Sequence, residues 1–161
     1  MKKIKKTNAA RILDNLGIDY EIKTYEVDEN DLSAVHVAQT AGLDINSVFK
    51  TLVTRGDKTG VIMAVIGGAE EIDLKALAKA SGNKSVKMIA LKELLPLTGY
   101  IRGGCSPLGA KKNYPVYLDS NALTQEKISI SAGQRGMQLI IKPQDLITAA
   151  NAKVADLIFK A

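Results

Sequence analysis

Tryptophan is absent from this 161-residue chain, phenylalanine occurs twice and tyrosine five times. Aliphatic side chains must therefore build the core, and the chain lacks the aromatic platform on which proteins stack unpaired bases. Cysteine occurs once, at Cys105, which excludes an internal disulfide and a thiolate metal cluster and points to a reducing, cytoplasmic setting. Histidine is also single, at His36. No group of His, Cys and carboxylates has metal-ligand spacing, so neither a metal nor another cofactor is expected. No apolar run approaches the ~20 residues that cross a bilayer. "MKKIKK" leads into "TNAARILDNLG" and not into the apolar stretch of a signal peptide. No membrane partner is expected.

What is present is ordinary for a globular chain: 46% apolar and 24% charged residues. The length suits one domain, 1–161, with a sizeable core. The formal net charge is +5, of which Lys2, Lys3, Lys5 and Lys6 supply four; without them 18 basic residues face 17 acidic ones. Residues 1–6 read as a basic N-terminal tail, either a solvated terminus or an attractor for phosphate.

Along the chain, "TNAARILDNLG" predicts a helix with Thr7 as N-cap and Gly17 as its stop, and "LSAVHVAQTAGL" a second, capped by Ser33 and ended by Gly42. "YEIKTYEV" alternates as a strand does. "VFKTLVTR" and "VIMAVIG" predict two strands joined by the hairpin signal "GDKTG". "EIDLKALAKASG" predicts a helix from Asp73 to Gly82, "SVKMI" a strand, and "LKELLPLTG" a short helix that Pro96 terminates. A glycine-dense loop follows, then strands "VYLD", "KISIS" and "MQLII". "PQDLITAANAKVADLIF" closes the chain as helix. Hairpins dominate the strand connections, which predicts an α+β domain with a mostly antiparallel sheet.

Lys50 breaks this pattern. In "NSVFKTLV" it shares a strand face with Val48 and Leu52, while Phe49, Thr51 and Val53 make the other face equally apolar. A buried, unpaired charge costs several kcal/mol. Either its stem snorkels to water at a sheet edge, where lysine discourages association, or its amine enters a cavity that uses it. The loop "GYIRGGCSPLG" is a second candidate. Gly103 and Gly104 allow close approach of a ligand to the backbone, Pro107 and Gly109 stiffen the chain, and Arg102, Lys111 and Lys112 supply positive charge. "SISAGQRG" is a third, bringing Ser131, Gly133 and Arg135 to a hairpin tip. Cys105 and His36 invite a cysteine-hydrolase reading, but nothing in the sequence ties loop to helix. Cys105 is expected to be a small buried hydrophobe.

Together these stretches resemble the YbaK/EbsC family of freestanding aminoacyl-tRNA deacylases, a fold that also occurs as the editing insertion of bacterial prolyl-tRNA synthetases. "TYEVD", "VFKTLV", "TGYIRGGCSPLGAKK" and "SISAGQRG" carry the resemblance in the family's order, and it covers nearly the whole chain. It implies a strongly curved, barrel-like sheet flanked by helices, without a metal. It also implies catalytic roles for Lys50 and for the backbone at Gly103. Tyr25, Phe49, Thr51, Gly104, Ser106, Pro107, Ser131, Gly133 and Arg135 would bind the substrate. Phosphates would meet Arg102, Lys111 and Lys112.

The loop is most similar to the Cys-tRNA(Pro) deacylases, in which the substrate's own thiol attacks its ester. The implied partners are the acceptor end of aminoacylated tRNA(Pro) and prolyl-tRNA synthetase. One departure concerns Gln138, where some members carry Asp, and it leaves open a preference for alanyl over cysteinyl esters. Two other readings stay open: a non-catalytic acceptor-end binder, and a lysine enzyme forming a Schiff base.

Overall fold

The computed structural model describes residues 6–160. Of the expected basic tail 1–6, residues 1–5 lie outside the described residues. Lys6 reaches Asp14 at 2.6 Å.

Local signals set the first three helices. Helix α1 (Asn8–Asn15) begins where the Thr7 hydroxyl accepts from the Ala10 N–H, and it buries Ala9, Ala10 and Leu13. Helix α2 (Ala34–Ala41) begins at Ser33, whose hydroxyl accepts from the His36 N–H, and ends at left-handed Gly42. Strand β1 (Glu21–Thr24) lies between them. Strands β2 (Phe49–Gly56) and β3 (Gly60–Gly67) form an antiparallel hairpin in register from Phe49 opposite Gly67 to Gly56 opposite Gly60.

Helix α3 (Leu74–Ser81) is capped by the Asp73 carboxylate and ends at left-handed Gly82. Strand β4 (Val86–Met88) and helix α4 (Leu94–Thr98) follow. Strands β5 (Val116–Asp119), β6 (Ile128–Ser131) and β7 (Met137–Ile141) lead to helix α5 (Pro143–Ala150) and strand β8 (Lys153–Ala155).

The strands form two sheets, β1-β7-β6 and β4-β2-β3-β5-β8. Alternation along β3 explains why the larger sheet is covered on both faces. Met63 and Val65 meet Ile130 and Leu139 of the smaller sheet, with α1 and Leu146 of α5 closing that core. Ile62, Ala64 and Ile66 face the other way, onto Leu77 and Ala78 of α3.

Two expectations are corrected here. The sheet is not barrel-like: among the described residues neither sheet closes on itself, β4 and β8 remain separate edges, and one bridge, Val48 to Ser129, joins the sheets. Nor is the larger sheet mostly antiparallel, because β5 pairs parallel with both β3 and β8. These pairings need crossovers through the 68–115 and 120–152 segments, which hairpin signals do not report.

The expected closing helix stops at Ala150, where Asn151 takes a left-handed conformation (φ 51°), and Lys153–Ala155 continues as β8. Pro96 does not terminate a helix but sits in the first turn of α4, where its missing N–H has no intrahelical partner to lose. The stop is Gly99 instead.

Asn83 locks the β2–β3 turn to α3. Its Oδ1 accepts from the N–H groups of Lys58 and Thr59 (2.8 and 3.0 Å), and its Nδ2 donates to the hydroxyls of Thr59 and Ser81 (3.0 and 2.7 Å). Asn83→Ala removes these four part-buried bonds together. It is expected to cost about 1–3 kcal/mol, read as a lowered urea midpoint with an unchanged m-value.

Candidate active site

Sequence pattern put Lys50 between two apolar faces, and pairing along β2 shows where its strand opens. On the outer edge, β4 holds only Thr54–Gly56, and the Ile89 N–H donates to the Val53 carbonyl at 3.3 Å. At the other end Val48 bridges to Ser129. Backbone alternation points the N–H and C=O of Thr51 the same way as the Val53 carbonyl, into the gap between these two attachments. A cavity of about 530 Å³ fills that gap. Every residue from Val48 to Val53 lines it, joined by Ser131 of β6, Gln138 of β7, the Arg102–Gly103 stretch, Cys105, and the start of α2 from Leu32 to Ala34. Met88, Ile89, Leu91 and Leu94 give one wall an apolar surface.

Lys50 is half-buried opposite Ile66, on the face that carries Leu52 toward α3. Among the described residues no carboxylate lies within 4.0 Å of its amine. Burial lowers its pKa below the ordinary 10.5, and the more distant charges of Glu70 and Glu71 oppose that shift. The amine therefore loses its proton at a lower pH than an exposed lysine does. It lines a cavity and, among the described residues, has no ion-pair partner.

The glycine loop is positioned from the β6–β7 turn. Arg135 Nε donates to the Arg102 carbonyl at 2.7 Å. Gly103 adopts φ +85°, and a side chain there would press on Leu32 and Arg135. Gly104 lies so close to Gln134 and Arg135 that a Cβ would fall 3.1 Å from the Gln134 Cα. The Tyr100 hydroxyl donates to the Leu108 carbonyl and spans the loop.

Across the cavity, Ser131 stands opposite Gln138 in the β6–β7 ladder, and its hydroxyl accepts from the Gly133 N–H at 3.2 Å. Gln138 is buried, and its Oε1 accepts from the Ser129 hydroxyl at 2.8 Å. The amide NH₂ is then the polar group that Gln138 can offer to the cavity.

Residues 28–149 match the family described as the aminoacyl-tRNA editing domain. The chain belongs to this family. It is 47% identical over 155 residues, 96% of this chain and 94% of the other, to EbsC of Enterococcus faecalis (strain ATCC 700802 / V583), provisionally named a Cys-tRNA(Pro)/Cys-tRNA(Cys) deacylase. It is 28% identical over 103 residues, 64% of this chain and 18% of the other, to the proline–tRNA ligase of Shouchella clausii (strain KSM-K16). A crystal structure provisionally described as a trans-editing enzyme for prolyl tRNA synthetase superposes with a TM-score of 0.80. It is 24% identical, covering 97% of this chain and 100% of that one, a likeness of fold.

Within this editing domain, Phe49, Lys50, Thr51, Arg102, Gly103 and Ser131 come together around the cavity. Gly104, Gly133 and Arg135 stand behind it and hold the loop and turn against each other. Tyr25 pairs through its N–H with the Gly136 carbonyl, away from the lining. The buried Ser106 hydroxyl accepts from the Leu108 N–H at 3.3 Å. Pro107 and Lys112 line a different cleft, of about 740 Å³, beside α1. Lys111 lies along Gly99 and donates to the Pro96 carbonyl at 3.5 Å.

Cys105 and the apolar wall from Met88 to Leu94 were not foreseen as lining residues, whereas the sequence singles out Gln138 only for its departure from a relative's Asp. The only sequence signal for that wall was the apolar run "MIALKELL" beside a short strand.

His36 does not line the cavity: its Nδ1 lies 3.9 Å from Asp31, and its buried Nε2 has no hydrogen-bond partner among the described residues. Burial pushes the Cys105 thiol up to about 12 from an ordinary 9.0, so it stays protonated near neutral pH. Iodoacetamide at pH 8 should therefore label Cys105 roughly a thousandfold more slowly in the folded chain than in urea. Equal rates would contradict a thiol held protonated by burial.

Proposed function

We propose that this editing domain deacylates mischarged tRNA in trans, with Cys-tRNA(Pro) as its main substrate. The observation that carries the reading is that Lys50, without an ion-pair partner among the described residues, and the Gly103 loop line one cavity. The chain's 47% identity to the Enterococcus faecalis protein supports it. An aminoacyl ester is already activated, so the protein has only to position it and stabilise charge developing on the carbonyl oxygen. The Lys50 ammonium and the backbone at Gly103 supply that stabilisation. Phe49, Thr51 and Ser131 shape the space for the aminoacyl group, and Gln138 stands where a relative's carboxylate would alter the choice of side chain.

Cysteine suits a substrate-assisted route. Its sulfur attacks its own ester carbonyl, an S–C bond forms, the bond to the ribose oxygen breaks, and the thiol proton passes to that oxygen. The resulting thiolactone is opened by water. Burial raises the Cys105 pKa and makes it a poor nucleophile near neutral pH, which agrees with a nucleophile supplied by the substrate. Cysteine and proline are close in size, and a pocket separates near-isosteres only modestly. A separate deacylase acting after prolyl-tRNA synthetase is the matching chemistry, and that synthetase is the expected partner. Arg102 lines the cavity, and in this reading it meets a phosphate of the acceptor end.

The test compares ester loss from Cys-tRNA(Pro), Ala-tRNA(Pro) and Pro-tRNA(Pro). Fast loss of the cysteinyl ester with the prolyl ester spared is expected. Preference for the alanyl ester would overturn the substrate-thiol route, and no loss of any ester would favour an acceptor-end binder. Lys50→Ala should lower the rate roughly 10²–10³-fold, the usual effect of removing one oxyanion donor, with the fold intact by circular dichroism. The Lys50-dependent rate should also fall as pH rises through the lowered amine pKa, below 10.5. Lys50→Ala should lack that alkaline limb.

A further inference from the structure

The segment 74–92 contains five lysines and no acidic residue, and the 17 basic residues elsewhere equal the 17 acidic ones. Segment 74–92, made of α3, β4 and the turn that follows, thus carries a local charge of +5 with no acid of its own. Lys75 and Lys79 occupy one exposed face of α3, four residues apart and opposite the buried Leu77 and Ala78. Lys84 and Lys87 are exposed at β4, the outermost strand of its sheet, and Lys92 is exposed just beyond it. Among the described residues none of the five has a carboxylate within 4.0 Å.

Neighbouring acids are already engaged. Glu93 holds the Arg55 guanidinium at 3.0 Å and the Ala90 N–H at 2.9 Å. Asp57 accepts from the N–H groups of Lys84 and Ser85 (2.9 and 3.1 Å), and Asp73 caps α3. Lysines on an edge strand also discourage sheet pairing, but only Lys87 lies on the strand itself.

Resting on the deacylase reading, we propose that this basic strip is the docking surface for the phosphate backbone of the tRNA acceptor arm. β4 runs directly into the cavity wall at Met88 and Ile89. Lys87 stands opposite Arg55, five residues along β2 from Lys50 and on the other face of this edge of the sheet, a span of about 17 Å along the strand. Nucleic-acid backbone carries one charge per about 3.4 Å of each strand, so that span matches about five phosphates leading away from the ester. Lysine offers compact charge on a flexible stem, which suits sequence-independent contact. The strip differs from Arg102, Lys111 and Lys112, which lie at and beyond the glycine loop.

The experiment uses the quadruple variant Lys75→Gln, Lys79→Gln, Lys84→Gln, Lys87→Gln. A control carries Lys23→Gln, Lys127→Gln, Lys142→Gln and Lys160→Gln. Both are assayed on Cys-tRNA(Pro) and on cysteinyl-adenosine, which fills the cavity without an acceptor arm. The strip variant should raise KM for Cys-tRNA(Pro) at least tenfold and flatten its logarithmic salt dependence by about 3–4 units. It should leave cysteinyl-adenosine cleavage unchanged, and the control should behave as wild type.

An unaltered KM and salt slope for Cys-tRNA(Pro) would overturn the proposal. So would a defect that appears only when prolyl-tRNA synthetase is added, since the strip would then face a protein. Should wild type cleave neither ester, the deacylase reading fails by itself. Binding of uncharged tRNA(Pro) then decides the strip: salt-sensitive binding lost in the strip variant upholds it, and equal binding by both overturns it.

Discussion

Everything at the site follows from one strand being paired unequally on its two edges. β2 is matched to β3 over its whole length, yet on the other side it meets β4 only at its end and the smaller sheet only at Val48. Backbone polar groups left without a partner inside a protein are costly, so an interrupted edge persists only where a cavity gives them water or a ligand. Full pairing with β3 satisfies the strand along its other edge across the gap. The Gly68 N–H, donating to the Val48 carbonyl at 2.7 Å, anchors its beginning.

That arrangement lets a lysine stand in an otherwise apolar strand. Lys50 shares its face with Leu52, which packs toward α3, but lies nearer the strand's start, where the chain turns through Gly67 and Gly68 to Glu70 and Glu71. Burial and these two carboxylates act on the amine in opposite directions, and burial dominates. A closer carboxylate would hold the charge but occupy the amine. The glycine loop is brought to the same place by the Arg135 guanidinium on the Arg102 carbonyl, so two segments distant in sequence share one anchor.

The cavity also separates two kinds of conformational demand. Gly103, at φ +85°, lets the loop backbone reach the lining, whereas Gly104 is needed because the β6–β7 turn lies against it. Phe49, Ser131 and Gln138 come from strands of both sheets, so the shape of the pocket depends on how the sheets pack. Gln138 shows this best. Its position in β7 makes it buried, and only the neighbouring Ser129 hydroxyl determines which end of its amide is taken.

Short-range chemistry determined much of this protein. Thr7, Ser33 and Asp73 start helices because their side chains satisfy the first free N–H groups, and Gly42 and Gly82 end them because glycine accepts a left-handed conformation. The β2–β3 hairpin, the anomaly of Lys50 and the motifs that place the chain in its family were all legible in the residues. What the tertiary structure alone decided is non-local: the parallel pairing of β5 with β3 and β8, two open sheets in place of a barrel, and a strand where helix was expected beyond Asn151. It also decided that Phe49, Lys50, Thr51, Arg102, Gly103 and Ser131 share a cavity while Tyr25 does not. Sequence spacing carries the period of an element and the chemistry of its ends. Which strand becomes its neighbour depends on burying two apolar faces at once, and that is settled only when the whole chain is packed.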